Sequence, residues 1–369
     1  MLQISSSSRW RRQFALAAIG VLSLSTLAAC GGSEEAGSSG SSGSGGDAVA
    51  VTLITKDSVN PFFITMQEGA KKAGKANGVD ISIASGAKDG DEQGQIEAID
   101  AAIAAGQQGI LITPNGPAVN PKIIEARDAG LFVIALDTPP DPPDTVDITF
   151  ATDNFEAGKL IGRWTKAQLD GDKAVIALLD IFNDKVVSVD YNRDQGFLTG
   201  LGVDVKDPQV NGDEDPTGSY GEGDYQIVCN EPTNGNEADG QTAMENCLAK
   251  NPDINVIYTI NEPAANGAMS AVKAAGGSPD DVLTVSVDGG CQGVKDVAKG
   301  SIDATSQQYP LKMAEEGVKA IKTIADGGDP PAPSKGLDFL NTGVALVSDT
   351  PAKGVKSIDT AAGLKVCWG

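Results

Sequence analysis

The chain has 369 residues, no histidine, and 28 basic against 50 acidic side chains, for a net charge of −22. Without histidine, His-dependent triads, most zinc sites and the commonest general base are ruled out. So acidic a surface repels phosphate backbones, which argues against a nucleic-acid partner.

The first stretch does not read as part of a fold. Arg9, Arg11 and Arg12 precede an apolar run from Phe14 to Leu27, and Leu27-Ala28-Ala29-Cys30 closes it with small residues. This is the pattern of a secretory signal peptide over residues 1–29, too short for a convincing membrane span. The position of Cys30 resembles the lipobox of bacterial lipoproteins, which implies cleavage before Cys30 and lipid on its thiol. Losing the three arginines would take the charge from −22 to −25. Residues 30–47 are Gly/Ser-rich and carry Glu34 and Glu35, which predicts a flexible tether.

The body begins near Ala48. Val49, Val51, Leu53 and Ile54 form a nearly continuous apolar run, as expected of a strand buried on both faces of a parallel sheet. It breaks at Asp57-Ser58-Val59-Asn60-Pro61, and Pro61 suits the first turn of a helix. Asn60, Phe62 and Phe63 therefore sit at a strand's carboxyl end, where open α/β sheets bind ligands, although both rings could equally pack the helix to the core.

A strand at Val79–Ala84, a helix at Asp91–Ala105, a strand at Gly109–Thr113, a helix at Pro121–Asp128 and a strand at Leu131–Leu136 follow. The unit of strand, polar turn and helix repeats at about thirty residues, which predicts right-handed βαβ layers. Phe150–Thr152 reads as a short strand, and Asn154–Leu169 as a helix leading into a second lobe. The pattern then restarts: strand Ala174–Leu179, helix around Asp194–Gly200, strand Gln226–Cys229, helix Glu237–Ala249 and strand Val256–Ile260. Helix Ala264–Ala275, strand Leu283–Val287, a helix from Gly290, strand Thr305–Gln308 and helix Leu311–Ile324 complete it.

The acidic insert between Gly202 and Asp224 fails as a linear calcium loop. Aligning Asp207, Asn211 and Gly212 leaves Gly218 where a bidentate glutamate belongs, so the insert reads as a solvated surface loop with no metal. With Cys30 lipidated, Cys229, Cys247, Cys291 and Cys367 are left, and an even number in an exported chain favours two disulfides. Cys229–Cys247 would close a strand to the next helix, and Cys291–Cys367 would tie down the tail.

Polar residues stand at successive strand ends: Asn60, Thr113, Asp137, Asn261, Asp288 and Gln308, with Arg193 opening a helix-like stretch after the restart. Each has a structural use as cap, turn or ion-pair residue. Together, facing one cleft, they suit a small neutral polyol, with Phe62 and Phe63 against its C–H faces.

In order, KDSVNPFF, ILITP, ALDT, NRDQGF, INEP, SVDGG and SQQYP resemble the type I sugar-binding proteins of ABC importers, the ribose- and galactose-binding group. The resemblance covers about residues 48–325. It implies two similar α/β lobes, each a parallel sheet flanked by helices, joined by a three-segment hinge in the manner of a Venus flytrap. The expected division is 48–153 plus about 309–335 for the N-terminal lobe and 154–308 plus about 336–369 for the C-terminal lobe. It further implies a monosaccharide ligand, an ABC permease with its cytoplasmic ATPase as partner, attachment to the outer face of the cytoplasmic membrane, a monomer, and no enzyme activity or cofactor.

By this resemblance Asn60 and Phe63 hold the sugar ring, Phe62 stacks beside them and Asp137 bridges two hydroxyls. Arg193, Asn261 and Asp288 close from the second lobe, and Gln308 lies by a hinge. VDYNRDQGF and NEPAANG look most like the fructose-binding branch. Ribose binders carry asparagine at the position of Thr113 and arginine at that of Thr138, so one amide and one guanidinium are missing here, which points away from ribose. A second-lobe stacking aromatic has no counterpart near Cys229–Pro232. A sensor feeding a membrane kinase would share all these residues. A glycosidase using Asp137 and Asp288 as paired carboxylates lacks further motif support.

Overall fold

The computed structural model describes residues 49–369; the expected leader, Cys30 and tether lie outside them. Strand β1 (Val49–Thr55) is buried over its last five residues and pairs in parallel with β2 (Val79–Ser85) and β3 (Gly109–Ile112). It is a central strand, as its unbroken apolar run requires. Helix α1 (Pro61–Asn77) starts at the proline, capped by the Asn60 side chain on the Phe62 N–H, and stops at Gly78 in the left-handed conformation. Helices α2 (Glu92–Ala104) and α3 (Asn120–Asp128) and strands β4 (Phe132–Leu136) and β5 (Ile148–Ala151) complete the first pass.

The chain then crosses at residues 152–153 into α4 (Asn154–Leu169), β6 (Ala174–Asp180), α5 (Ser188–Leu201), β7 (Thr217–Ser219) and β8 (Asp224–Pro232). Next come α6 (Glu237–Lys250), β9 (Val256–Thr259), α7 (Glu262–Ala274), β10 (Leu283–Asp288), α8 (Cys291–Ala298) and β11 (Ala304–Gln307). A second crossing at 308–309 returns it to the first lobe as α9 (Pro310–Ala325) and β12 (Leu340–Asn341). The tail, β13 (Ala345–Val347), β14 (Ser357–Ile358) and α10 (Thr360–Gly363), ends on the second lobe.

Strand order is β12-β5-β4-β3-β1-β2 in one sheet and β14-β13-β11-β10-β9-β6-β8-β7 in the other. Each sheet has apolar clusters on both faces, so the molecule is two helix-sheet-helix sandwiches. This is the two-lobed α/β architecture expected from the sequence. No helix among the described residues is long and apolar enough to cross a membrane.

Three expectations need correcting. The third crossing lies at 342–344 rather than near 336, because Leu340 and Asn341 pair with Phe150 and Ala151 of β5. Helix α5 begins at Ser188, well before Asp194, so Arg193 lies inside it. Its start carries no capping side chain, and Asp190 instead accepts from the Ile181 and Phe182 N–H groups, which hid the start from sequence reading. The acidic insert is not wholly solvated: β7 pairs with β8, Tyr220 packs into the core, and Glu214 is buried.

Helices α4 and α5 pack backbone to backbone. A Cβ on Gly158 would come 2.0 Å from the Arg193 carbonyl oxygen, and one on Gly196 would come 2.2 Å from that of Phe155. Only glycine allows this approach, and it fixes the helix that carries Arg193. Disulfides join Cys229 to Cys247 and Cys291 to Cys367, bridging β8 to α6 and α8 to the tail.

Candidate functional site

The carboxyl ends of the two sheets face each other across a small cavity. Its first-lobe wall comprises Lys56, Asn60, Phe62, Phe63, Asp89 and Asp137. Asn60 is held by its cap bond of 2.9 Å to the Phe62 N–H. The Phe62 ring meets Phe63 edge-on at 5.3 Å and Trp368, from the tail, at 5.2 Å. Both phenylalanines therefore pack the core and line the cavity at once. Asp137 sits at φ 65°, a conformation costly for a residue with a Cβ, with one carboxylate oxygen taken by the Thr138 hydroxyl at 2.8 Å.

The second lobe supplies Arg193, Asn261 and Asp288, with aliphatic side chains of Ile181, Val189 and Ile260 between them, and Gln308 stands at the second crossing. No second-lobe aromatic lines the cavity; aliphatic groups take that place. Arg193 is 4% exposed and donates to Asn154 at 2.8 Å and to the Ile260 carbonyl at 2.9 Å. Its guanidinium lies 3.9 Å from Asp137 of the first lobe and 3.9 Å from Asp288 of the second. Asp288 is also strained, at φ 137°, and its carboxylate accepts from Gln308 at 2.7 Å. Burial pushes the Asp288 carboxyl up to about 6, against the pull of Arg193. Asn261 caps α7 through the Ala264 N–H and donates to the Gly235 carbonyl at 2.9 Å.

The structure thus brings Asn60, Phe62, Phe63, Asp137, Arg193, Asn261, Asp288 and Gln308 to one cavity. It does not bring Thr113. That residue is fully buried beneath the wall, its N–H bonded to the Ile54 carbonyl and its own carbonyl to Gln95, so the backbone turns away before the side chain reaches the cleft.

Lys56 and Asp89 were missed by sequence reading. Lys56 follows β1 directly and is 2% exposed, with Asp89 at 3.8 Å as its ion-pair partner. Burial raises the Asp89 carboxyl, and Lys56 opposes the shift. Both belong to polar turns after strands, so the rule that selected Asn60 and Asp137 applied to them equally.

Three buried acceptor atoms of this site, on Asp89, Asp137 and Gln308, have no hydrogen-bond donor among the described residues. Buried acceptors are costly unless bonded, so they call for a ligand that donates. With guanidinium, ammonium and amide donors beside them, the wall suits a small molecule bearing several hydroxyls, each able to donate and accept.

Polar contacts close the rim across the lobes. Ser188 donates to the Pro139 carbonyl, Lys185 to the Gly90 carbonyl at 3.1 Å, and Gln209 to Asp141 at 3.3 Å. A wider hollow at the far, amino-terminal ends of β3 and β4 lies within the first lobe alone, and its Arg127 and Asp147 satisfy each other at 3.0 Å.

Residues 50–329 match the periplasmic binding protein domain family. The ribose import binding protein of Haemophilus influenzae is 28% identical over 282 residues, 76% of this chain and 86% of that protein. The D-ribose/D-allose-binding protein of Pseudomonas aeruginosa is 28% identical over 309 residues, 81% of this chain and 88% of its own length. Among solved structures, a galactofuranose binding protein superposes with a TM-score of 0.71 at 23% identity, over 86% of this chain and 97% of that one. A solute binding protein of an ABC transporter from Actinobacillus succinogenes, with bound D-allose, gives 0.69 at 22% identity, over 86% and 99%. Strand ends from two lobes meeting around one polar cavity, and a match over most of the body, lead to one conclusion: the chain belongs to the periplasmic binding protein domain family.

Proposed function

We propose that this protein is the exported receptor of a carbohydrate ABC importer, capturing one monosaccharide between closing lobes and passing it to a permease driven by a cytoplasmic ATPase. The observation that carries this reading is Arg193, placed 3.9 Å from a carboxylate of each lobe. Asp137 and Asp288 reach the same guanidinium only when the lobes are shut, and a bridging polyol adds contacts unavailable to the open form. The names of the relatives, which cite ribose, allose and galactofuranose, support a sugar ligand.

The receptor works as a monomer, without cofactor or reaction. Lipid on Cys30 holds it to the outer face of the cytoplasmic membrane. Affinity is expected near 1 μM, about −8 kcal/mol. Calorimetry against D-ribose, D-allose, D-galactose, D-fructose and L-arabinose tests it. Binding to at least one, with intact sugar recovered after prolonged incubation, is the expected result. No heat with any of them sinks the sugar reading, and altered sugar recovered from the mixture sinks the claim that it is no enzyme.

A further inference from the structure

The end of the chain reaches back to the ligand wall. Cys367 is bonded to Cys291 at the start of α8, and the Trp368 carbonyl accepts from the Cys291 N–H at 2.8 Å, so the tail is fixed to the second lobe by side chain and backbone together. The Trp368 ring nevertheless belongs to an apolar cluster of the first lobe, with Phe62, Phe63 and Met66. Leu364 and Val366 just before it are exposed, whereas Trp368 is 6% exposed. The tail as a whole is therefore not drawn inward; this one ring is.

Three parts of the site meet on it. The ring stands edge-on to Phe62 at 5.2 Å, and its indole N–H donates to the Gln308 carbonyl at 2.9 Å. A Cβ on Gly290, two residues after Asp288, would come 3.5 Å from the ring. Phe62, Gln308 and Asp288 line the cavity from the first lobe, the second crossing and the second lobe; Trp368 itself is not part of that wall, so its effect on a ligand runs through them. A residue that only plugged the core would need apolar bulk. It would need neither a donor aimed at the crossing nor a covalent bond to the opposite lobe.

We propose that Trp368, anchored by the Cys291–Cys367 bridge, is a positioning residue for the ligand: it sets the Phe62 ring and the Gln308 crossing, and so couples the tail of the chain to sugar affinity. This deepens the receptor reading above and rests on it. Phe62 is held edge-on between Phe63 at 5.3 Å and Trp368 at 5.2 Å, so losing the indole frees one side of a ring that a sugar must meet. The other bridge, Cys229–Cys247, joins β8 to α6, and neither cysteine lines the cavity. The two disulfides thus differ in kind: one serves stability, the other also serves the site.

Calorimetry well below the melting temperature, with whichever of D-ribose, D-allose, D-galactose, D-fructose and L-arabinose binds most tightly, tests this. Trp368→Ala should raise Kd about tenfold, and Trp368→Phe, which restores a ring, should stay within about threefold of the unaltered chain. Serine at both Cys291 and Cys367 should raise Kd about fivefold, whereas serine at both Cys229 and Cys247 should lower the melting temperature yet leave Kd within about twofold. Should Trp368→Ala not fold, the Cys291 and Cys367 pair gives the same readout. With Trp10 and Trp164 replaced by phenylalanine, Trp368 is the one tryptophan left, and its emission should change on saturation with sugar. Unchanged affinity in Trp368→Ala overturns the proposal, as does equal weakening by both serine pairs. Sugar-free emission separates this failure from that of the receptor reading. Serine at Cys291 and Cys367 in the single-tryptophan chain should shift emission to the red. No binding by the unaltered chain, with that shift present, sinks the receptor reading alone; emission that does not shift overturns the anchoring whatever binds.

Discussion

The two lobes share a plan but handle charge differently. In the first lobe, Lys56, Asp89 and Asp137 stand at the cavity, and apolar clusters cover both faces of the sheet. The second lobe buries Asp180, Asp190, Asp194, Glu262 and Asp288 in or near its core. Glu262 shows the consequence most clearly: it accepts from the Gly289 and Gly290 N–H groups and the Thr305 hydroxyl, yet burial and Asp288 raise its carboxyl to about 8. The difference teaches that a common fold can confine its most strongly raised carboxylates to one half.

The strongest way to break the comparison is at the guanidinium. Arg193→Ala leaves Asp137 and Asp288 buried without their cation, and about 3 kcal/mol of binding, roughly a hundredfold in Kd, is expected to vanish. Asn60→Ala, on the first lobe, removes one neutral contact and should cost about tenfold. Calorimetry with the sugar that binds measures both, and equal losses would show the lobes to be equivalent at the site.

Stability separates the halves next. Replacing Cys229 and Cys247 by serine opens a bridge between residues 18 apart, and about 3 kcal/mol is expected to be lost in urea unfolding. Gly196→Ala forces apart the α4–α5 contact and should cost about 1–3 kcal/mol.

The pH dependence follows from the raised carboxylates. Glu262 holds its proton more tightly folded than unfolded, so between about 4.5 and about 8 the native state binds more protons, and stability falls as pH rises through that window. Asp190 and Asp288, raised to about 6, act in the same direction up to that pH. Glu262→Gln should flatten the decline above pH 6, as melting curves at several pH values would reveal; an unchanged slope would place its origin elsewhere. The smallest effect belongs to Thr113→Val, which should leave sugar affinity within about twofold because that side chain does not reach the cavity.

Much of this architecture was legible in the chain. Runs such as Ala174–Leu179 and Gly109–Ile112 admit little other than buried parallel strands, and the caps at Asn60 and Asn261 sit where polar residues precede prolines. Where signals are weak, reading failed: α5 starts without a cap, β12 is two residues long, and the tail's Trp368 gives no local hint that it will pack on Phe62.

Local chemistry, then, determined the strands, the helices and the rule that polar strand ends make the site. Only the tertiary structure decided which of those ends count. Thr113 and Lys56 follow neighbouring strands, yet one turns beneath the wall and the other faces the cavity. It also decided that Asp180, Asp194 and Glu214, far apart in sequence, share one buried space. The physical reason is that periodicity and capping act over a few residues, whereas desolvation and charge repulsion depend on what the folded chain sets side by side.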